Sequence, residues 1–315
     1  MTAISRPSRR PRFLVTLWLL VSATLPTAAL SQTAVDAKTQ FVESKGRRLA
    51  YRLVGTADPL ILCNRFRGIL DTWDPAFLDA LAKHFRVVTF DYSGTGRSTG
   101  KASYEHLALA TDAKDLAQAL GYQKVVIGGW SLGGLAAQAF ALQFPEMTSH
   151  LVLIGTGPHG TRRPPEPIFF ERALKPVNDL DDLTVLFFEP RSAGSREAAR
   201  QSTARILQRT TDLSVPLPPE LFMRLLGELR AEPNPDPHGL RDKLKATTKP
   251  ILVISGDHDI SFPVEDWYEL SRELEAVQHV VFSRSGHGPQ HQYPEAAAEL
   301  IASFVRTYRS PGGGS

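Results

Sequence analysis

Short apolar runs alternate with longer amphipathic segments over much of the chain. In the first half, buried or alternating runs predict strands at residues 39–43, 48–54, 60–63, 87–90, 124–128 and 151–154. Helices are predicted between them, at residues 74–85, 104–120 and 134–142. Strands that alternate with helices form a parallel sheet with right-handed crossovers and helices on its faces. The pattern therefore predicts an α/β fold with a mostly parallel sheet.

This alternation stops at Gly155 and resumes after Pro250. Residues 161–249 are rich in proline and charge, and they contain helical patches at 197–209 and 220–230 but no buried strand run. The later part predicts strands at 251–254 and 277–282 and helices at 264–274 and 294–308. We therefore expect residues 32–160 and 250–309 to form one discontinuous domain, with residues 161–249 as a helical cap inserted between two strands.

The first 31 residues have the pattern of a secretory signal peptide. Four arginines precede an apolar run at residues 13–21, and the small residues Ala29 and Ser31 suit cleavage before Gln32. We expect an exported protein, periplasmic or secreted, without stable membrane insertion after cleavage. The alternative is an uncleaved anchor, although the apolar run is short for a membrane span. Residues 310–315 are predicted to be a flexible tail.

The basic charge of the chain does not indicate a nucleic-acid partner. Without the four arginines near the N-terminus, the formal net charge of +3 becomes −1. A near-neutral body lacks the basic surface that nucleic-acid binding requires, so we expect no such partner. The sequence contains a single cysteine, Cys63, which excludes an intramolecular disulfide. The fold must then be stabilised by its core.

The segment Gly129-Trp130-Ser131-Leu132-Gly133 reads G-x-S-x-G. It lies between a predicted strand and a predicted helix, which is the arrangement of a nucleophile elbow. A serine at the apex of so sharp a turn has an exposed Oγ, and the flanking glycines let strand and helix approach closely. Ser131 is therefore the predicted nucleophile.

An acid and a histidine follow Ser131 in chain order, each on a loop after a predicted strand. Asp259 lies in a G-x-x-D-x-x-x-P arrangement and is the predicted acid, with Asp257 as the alternative. His287 lies between two glycines and is the predicted base, with His291 as the alternative. A neutral imidazole can take the serine proton near pH 7, and a carboxylate fixes the imidazole tautomer.

Two backbone N–H groups are expected to bind the oxyanion that forms when a serine attacks an acyl group. Leu132 directly follows the nucleophile, and Phe66 lies on the loop after the strand at residues 60–63. On the same loop, Arg65 and Arg67 are candidates for binding an anionic substrate. Trp130, beside the nucleophile, is a further candidate substrate-binding residue.

The alternative for Arg65 and Arg67 is pairing with acids such as Asp71 or Asp74, or exposure to solvent. No metal or organic cofactor is predicted, because the only dense cluster that combines His and Asp, at residues 257–259, is explained by the acid turn.

With these motifs placed, residues 40–308 resemble the α/β-hydrolases, in their cap-bearing, esterase-like branch. The turn at residues 91–98, Asp-Tyr-Ser-Gly-Thr-Gly-Arg-Ser, resembles the D-x-x-G-x-G-x-S turn of that branch. The elbow at residues 129–134 is similar to that of carboxylesterases that demethylate a pimeloyl thioester, and no substrate is carried over from it. Members of the branch usually carry His-Gly where this chain has Asn64-Arg65.

The resemblance implies a serine hydrolase, chiefly a carboxylesterase that cleaves small-molecule esters through an acyl-enzyme. A serine in place of an aspartate excludes the dehalogenase and epoxide hydrolase routes of this fold. The alternatives are a lactonase or thioesterase, a catalytically weak ligand-binding protein, or a peptidase or amidase. A peptidase would need cap acids near the site, for which Glu166, Glu171 and Glu189 are available.

Overall fold

The computed structural model describes residues 1–2, 32–160 and 162–308. The predicted tail and all but the first two residues of the predicted signal peptide lie outside these ranges. Eight strands form one sheet: β1 (Gln40–Ser44), β2 (Arg47–Val54), β3 (Pro59–Cys63), β4 (Arg86–Phe90), β5 (Val125–Trp130), β6 (Thr148–Ile154), β7 (Ile251–Gly256) and β8 (Val277–Phe282). Their spatial order is β1-β2-β4-β3-β5-β6-β7-β8.

The sheet is mostly parallel, as the sequence predicts. Strand β2 pairs antiparallel with both β1 and β4, and every other neighbouring pair is parallel. The helices of the described residues are α1 (Pro75–Ala82), α2 (His106–Ala119), α3 (Leu132–Gln143), α4 (Pro167–Ala173), α5 (Leu180–Phe187), α6 (Ala193–Ile206), α7 (Pro219–Ala231), α8 (Leu240–Ala246), α9 (Glu265–Leu270), α10 (Pro289–Gln292) and α11 (Pro294–Thr307).

Both faces of the sheet are covered, which explains why its central strands are continuous apolar runs. Within β3, Ile61 belongs to one hydrophobic cluster, together with residues of α2 and α3. Its neighbours Leu60 and Leu62 belong to a second cluster, together with residues of α1 and α11. Alternate side chains of one strand thus enter two separate cores. Parallel strands end at a common edge, where the loops that follow β3, β5, β7 and β8 can meet.

Helices α4 to α8 lie between β6 and β7 in the chain, where the sequence predicts an insertion. The predicted patches correspond to α6 and α7, whereas the shorter α4, α5 and α8 have no equivalent in the sequence pattern. Arg205 of α6 pairs with the buried Asp74 that caps α1, so the insertion is tied to the sheet domain. The described residues from Gln32 onwards belong to one compact unit.

A search of the described residues for membrane-spanning helices finds none of sufficient length and apolarity.

Candidate active site

Ser131 occupies a sharp turn between the end of β5 and the start of α3. Its backbone has φ 60° and ψ −123°, a conformation that costs energy for a residue with a side chain. A Cβ on Gly129 would lie 2.0 Å from the carbonyl oxygen of Gly133, and a Cβ on Gly133 would lie 2.1 Å from that of Cys63. Glycine is therefore required at both flanking positions, and the tight elbow depends on them.

The loops after β7 and β8 bring Asp259 and His287 together. His287 Nδ1–H donates to Asp259 Oδ2 over 2.8 Å, and both side chains are almost fully buried. The other oxygen, Oδ1, accepts the backbone N–H groups of Ser261 and Phe262 at 2.8 and 2.9 Å. Since Nδ1 carries the proton in this pair, Nε2 is left as an acceptor, which is the tautomer that a general base needs.

Aromatic rings hold the imidazole of His287 in place. The rings of Phe187, from α5, and Phe262, from the acid loop, stack nearly parallel to it, with centroids 6.2 and 5.7 Å away. Trp130 Nε1 donates to the carbonyl oxygen of His287 over 2.7 Å. Trp130 is thus buried beneath the histidine loop, and it lines neither of the two cavities at Ser131 described below. This geometry offers no support for Trp130 as a substrate-binding residue.

The alternative residues lie elsewhere. Asp257 accepts the backbone N–H groups of Arg284 and Ser285 and the ring N–H of His258, so it joins the β7 and β8 loops. His291 Nε2 accepts the backbone N–H of Asp74, and burial lowers its pKa to about 4. With Nε2 occupied, His291 has no lone pair to offer the nucleophile.

Two cavities meet at Ser131. The larger, of about 790 Å³, is bordered by Phe66, Ser131 and Leu132 and by residues of α2, α7 and α8. The smaller, of about 20 Å³, is bordered by Phe66, Ser131 and His287 together with Arg65 and Arg67. Phe66 and Ser131 line both cavities, Leu132 lines the larger and His287 the smaller, and the larger cavity has the volume of a typical small-molecule site.

Two histidines, both uncharged, are among the residues that line the larger cavity. The rings of His106 and His159 meet edge to face with centroids 5.0 Å apart. Burial lowers the pKa of both imidazoles, that of His159 to about 4. His159 Nε2–H donates to the carbonyl oxygen of Leu135 over 2.9 Å. Both rings are therefore neutral at pH 7, and no motif in the sequence indicated their place in the cavity.

Asn64 anchors the loop that carries Phe66. Its Nδ2 donates to the carbonyl oxygen of Phe90, and its Oδ1 accepts Trp73 Nε1–H, both over 2.6 Å. Its own carbonyl oxygen accepts the hydroxyl of Tyr92. The loop is thus held by buried hydrogen bonds although the usual glycine is replaced by arginine.

Replacing Asn64 with alanine is expected to lower the free energy of unfolding by about 1–3 kcal/mol, because the buried groups of Phe90 and Trp73 lose their partners. Urea unfolding of the two proteins measures this difference. Gln278→Ala, at an exposed position of β8, is the control and should change stability by less than about 0.5 kcal/mol. An equal effect of the two substitutions would contradict the anchoring role.

Arg67 connects the same loop to the inserted helices. Its guanidinium donates to the carbonyl oxygens of Ala173, Lys175 and Pro176 over 2.7–2.9 Å and lies 4.1 Å from the ring centroid of Phe222. Arg67 has φ 59°, so the chain turns sharply there. It also donates to the side-chain oxygen of Asn178 over 3.3 Å, and its role in this structure is to join two segments.

The acids considered as partners of Arg65 and Arg67 pair with other residues. Asp71 accepts Arg52 Nη1–H over 2.5 Å, and Asp74 accepts Arg205, as described above. Arg65 has no ion pair with any carboxylate in the described ranges and lines the smaller cavity.

The larger cavity at Ser131 is lined by acids of the inserted segment, Glu228, Glu232 and Asp236. Neither cavity is lined by Glu166, Glu171 or Glu189, the cap acids that the sequence offered for a peptidase site. In the part of the chain that the structure describes, one cluster of three acids has carboxylate oxygens close enough together to hold a metal ion. It consists of Asp179, Asp181 and Asp182. Arg172 and Lys175 already pair with it.

The matching family model is that of the α/β-hydrolase fold, and it spans residues 58–294. The chain belongs to the α/β-hydrolase fold family. An α/β-hydrolase fold protein from Chitinophaga pinensis is 25% identical and superposes with a TM-score of 0.75, covering 88% of this chain and 100% of that one.

Two proteins similar to this α/β-hydrolase are named as esterases. The pimeloyl-[acyl-carrier protein] methyl ester esterase of Vibrio vulnificus is 28% identical over 72% of this chain and 87% of its own length. A thermophilic esterase from Thermogutta terrifontis, solved with malate bound, is 26% identical with a TM-score of 0.65. The superposition covers 87% of this chain and 100% of that one.

Proposed function

We propose that this protein is a serine esterase in which Ser131 is the nucleophile, His287 the general base and Asp259 the residue that orients the histidine. One observation carries the proposal: a histidine already hydrogen-bonded to a buried carboxylate borders the same cavity as a serine in a strained elbow. The similarity to two named esterases supports hydrolysis as the reaction class.

In the proposed reaction, Ser131 Oγ attacks the ester carbonyl while His287 Nε2 takes the hydroxyl proton. The oxyanion accepts hydrogen bonds from the backbone N–H groups of Leu132 and Phe66. Leu132 is the first residue of α3, so its N–H has no partner within the helix. The alcohol leaves with the proton from His287. Water then attacks the acyl-enzyme by the same route and releases the carboxylic acid.

The proposed substrate is a small-molecule ester with a bulky apolar part. The larger cavity is lined by apolar side chains from the inserted helices, among them Phe169, Phe170, Leu225 and Leu229. We propose that residues 161–249 act as a cap that shapes this space. The arginine-rich, apolar segment at residues 1–31 leads us to propose export, to the periplasm or the medium.

Labelling with a fluorophosphonate tests whether Ser131 is activated. We expect the wild-type protein to form one covalent adduct, which peptide mass spectrometry places on Ser131, because the reagent reacts with a serine whose proton a base removes. Ser131→Ala should abolish labelling, and Ser271→Ala, a change at a half-buried serine that lines neither cavity at Ser131, should leave it intact. A wild-type protein that does not react would instead favour the ligand-binding alternative.

A further inference from the structure

Arg65 is held between aromatic rings next to the proposed nucleophile. Its guanidinium carbon lies 4.6 Å from the ring centroid of Phe187 and 5.2 Å from that of Trp130. Its Nη1 donates to the carbonyl oxygen of Phe66 over 2.8 Å. These contacts fix the position of the guanidinium. Stacking occupies its flat faces and leaves the N–H groups on its edge available to an acceptor.

The charge of Arg65 is not neutralised within the described part of the chain. Its Nε is buried and has no hydrogen-bond partner. By contrast, the partly buried Arg47, Arg52 and Arg205 each pair with an aspartate. Arg65 as a whole is half-buried, but a guanidinium with a buried Nε and no counter-ion is still costly for a folded protein. A bound anion would reduce this cost.

Arg65 also borders the reacting groups. It lines the smaller cavity together with Ser131 and His287, and it directly precedes Phe66, a proposed oxyanion donor. Burial and the nearby charge of Arg67 lower the pKa of Arg65 to about 9, so the side chain remains a cation at neutral pH. An anion bound there would share this cavity with Ser131 and His287.

We propose that Arg65 binds a carboxylate carried by the substrate, so that the preferred substrates are half-esters of short dicarboxylic acids. The inference rests on the proposed esterase function. The carboxylate provides two acceptors that match the planar donor edge of a guanidinium. Hydrolysis at Ser131 then gives the free dicarboxylic acid and the alcohol, with the carboxylate on Arg65 unchanged.

Three other arginines near the cavities are distinguishable from Arg65. Arg230 lines the larger cavity and lies 4.2 Å from the ring centroid of Phe170. Arg67 already donates to three carbonyl oxygens, as described above. Arg162 lines the larger cavity, donates to the carbonyl oxygen of Pro158 over 3.2 Å and lies 5.5 Å from the ring centroid of Phe262. If a carboxylate is bound in the larger cavity instead, the preference will depend on Arg162 or Arg230.

The test compares monomethyl succinate with methyl butyrate, which differ by a carboxylate in place of a methyl group. We expect wild-type kcat/KM to favour the half-ester, and Arg65→Gln to lower the ratio of the two values by about 10- to 100-fold, the usual size of a charged hydrogen bond. The loss should lie mainly in KM. Arg65→Lys, which keeps the charge without the planar fork, should retain part of the preference.

The surface variant Arg200→Gln is the matched control and should leave the ratio unchanged. Equal losses on both esters in Arg65→Gln would mean that Arg65 acts on the oxyanion or on the loop, and would overturn the proposal. A ratio that falls in Arg162→Gln or Arg230→Gln and not in Arg65→Gln would overturn it as well.

A binding measurement separates this inference from the proposed function. Titration of Ser131→Ala with monomethyl succinate, followed by calorimetry, should show binding that methyl butyrate lacks and that the added Arg65→Gln substitution removes. If such binding is found but the wild type hydrolyses no ester, the proposed carboxylate site is supported and the proposed esterase function is wrong. Hydrolysis of neutral esters without this binding would retain the esterase and reject the site.

Discussion

Replacing Ser131 with alanine is expected to reduce kcat for 4-nitrophenyl acetate by about 10⁴- to 10⁶-fold, as the loss of the nucleophile does in other serine hydrolases. The reason is that no acyl-enzyme can form without Oγ, and the remaining hydrogen-bond donors stabilise only the direct attack of water. Steady-state kinetics with the purified protein, corrected for spontaneous hydrolysis, measure the effect.

The alanine variant should fold normally, because alanine adopts the φ of 60° at this turn at a cost similar to that of serine. Circular dichroism and thermal unfolding check this point. Ser271→Ala is the matched control and should keep wild-type kcat. If Ser131→Ala is folded and retains more than about one hundredth of wild-type kcat, the nucleophile is another residue.

Replacing Asp259 with asparagine is expected to reduce kcat by about 10⁴-fold, the loss seen when an amide replaces the triad carboxylate and selects the wrong imidazole tautomer. In this structure both oxygens of Asp259 accept hydrogen bonds, Oδ2 from His287 and Oδ1 from two backbone N–H groups. The backbone donors hold an oxygen on one side, so the side-chain amide of the Asp259→Asn variant would turn its NH₂ towards His287. Nδ1 would then have to be the acceptor, and Nε2 would carry the proton.

Asp257→Asn is the matched control, two residues away on the same loop. Burial by itself raises the pKa of Asp257. The hydrogen bonds from His258 and from the N–H groups of Ser285 and Arg284 lower it by a larger amount, so the net shift is downward. The charged form therefore stabilises the fold above the unfolded pKa, and this stability is lost as the pH falls. We expect this variant to lose about 1–2 kcal/mol of stability at pH 7 and to keep most of its activity.

If Asp257 and not Asp259 orients the histidine, the results expected for the two variants are reversed. An Asp257→Asn protein that folds but is inactive, beside an active Asp259→Asn protein, would make Asp257 the orienting acid. Unfolding in urea, measured for both, separates a loss of catalysis from a loss of structure.

Much of the fold could be predicted from local patterns. The predicted strand at residues 151–154 overlaps β6, and the predicted strand at 277–282 coincides with β8. Strand β6 is a nearly continuous buried run, and β8 contains three valines and a phenylalanine in six residues, so both are visible in a short window. Helices α4, α5 and α8 were missed, because they are only seven or eight residues long and their packing surfaces are supplied by other parts of the chain.

The candidate site could be predicted less completely. Chain order and flanking glycines indicate Ser131, Asp259 and His287, and the structure brings the last two into hydrogen-bond contact. The anchoring of the oxyanion loop by Asn64 and the stacking of Phe187 on His287 could not be predicted. Each depends on partners distant in sequence, and neither has a spacing rule that a single chain reveals.

Local order in the sequence is sufficient for the class of fold, the position of the elbow and the order of the three candidate catalytic residues, because these depend on periodicity and on turn chemistry within a few residues. The state of Arg65 is different. Its stacking on two rings, its lack of an acidic partner among the described residues and its place at the smaller cavity follow from contacts between the loop after β3, strand β5 and the inserted helices. Such contacts arise only when distant segments pack together. Whether Arg65 has a counter-ion, and therefore whether the site favours an anion, is decided by the tertiary structure.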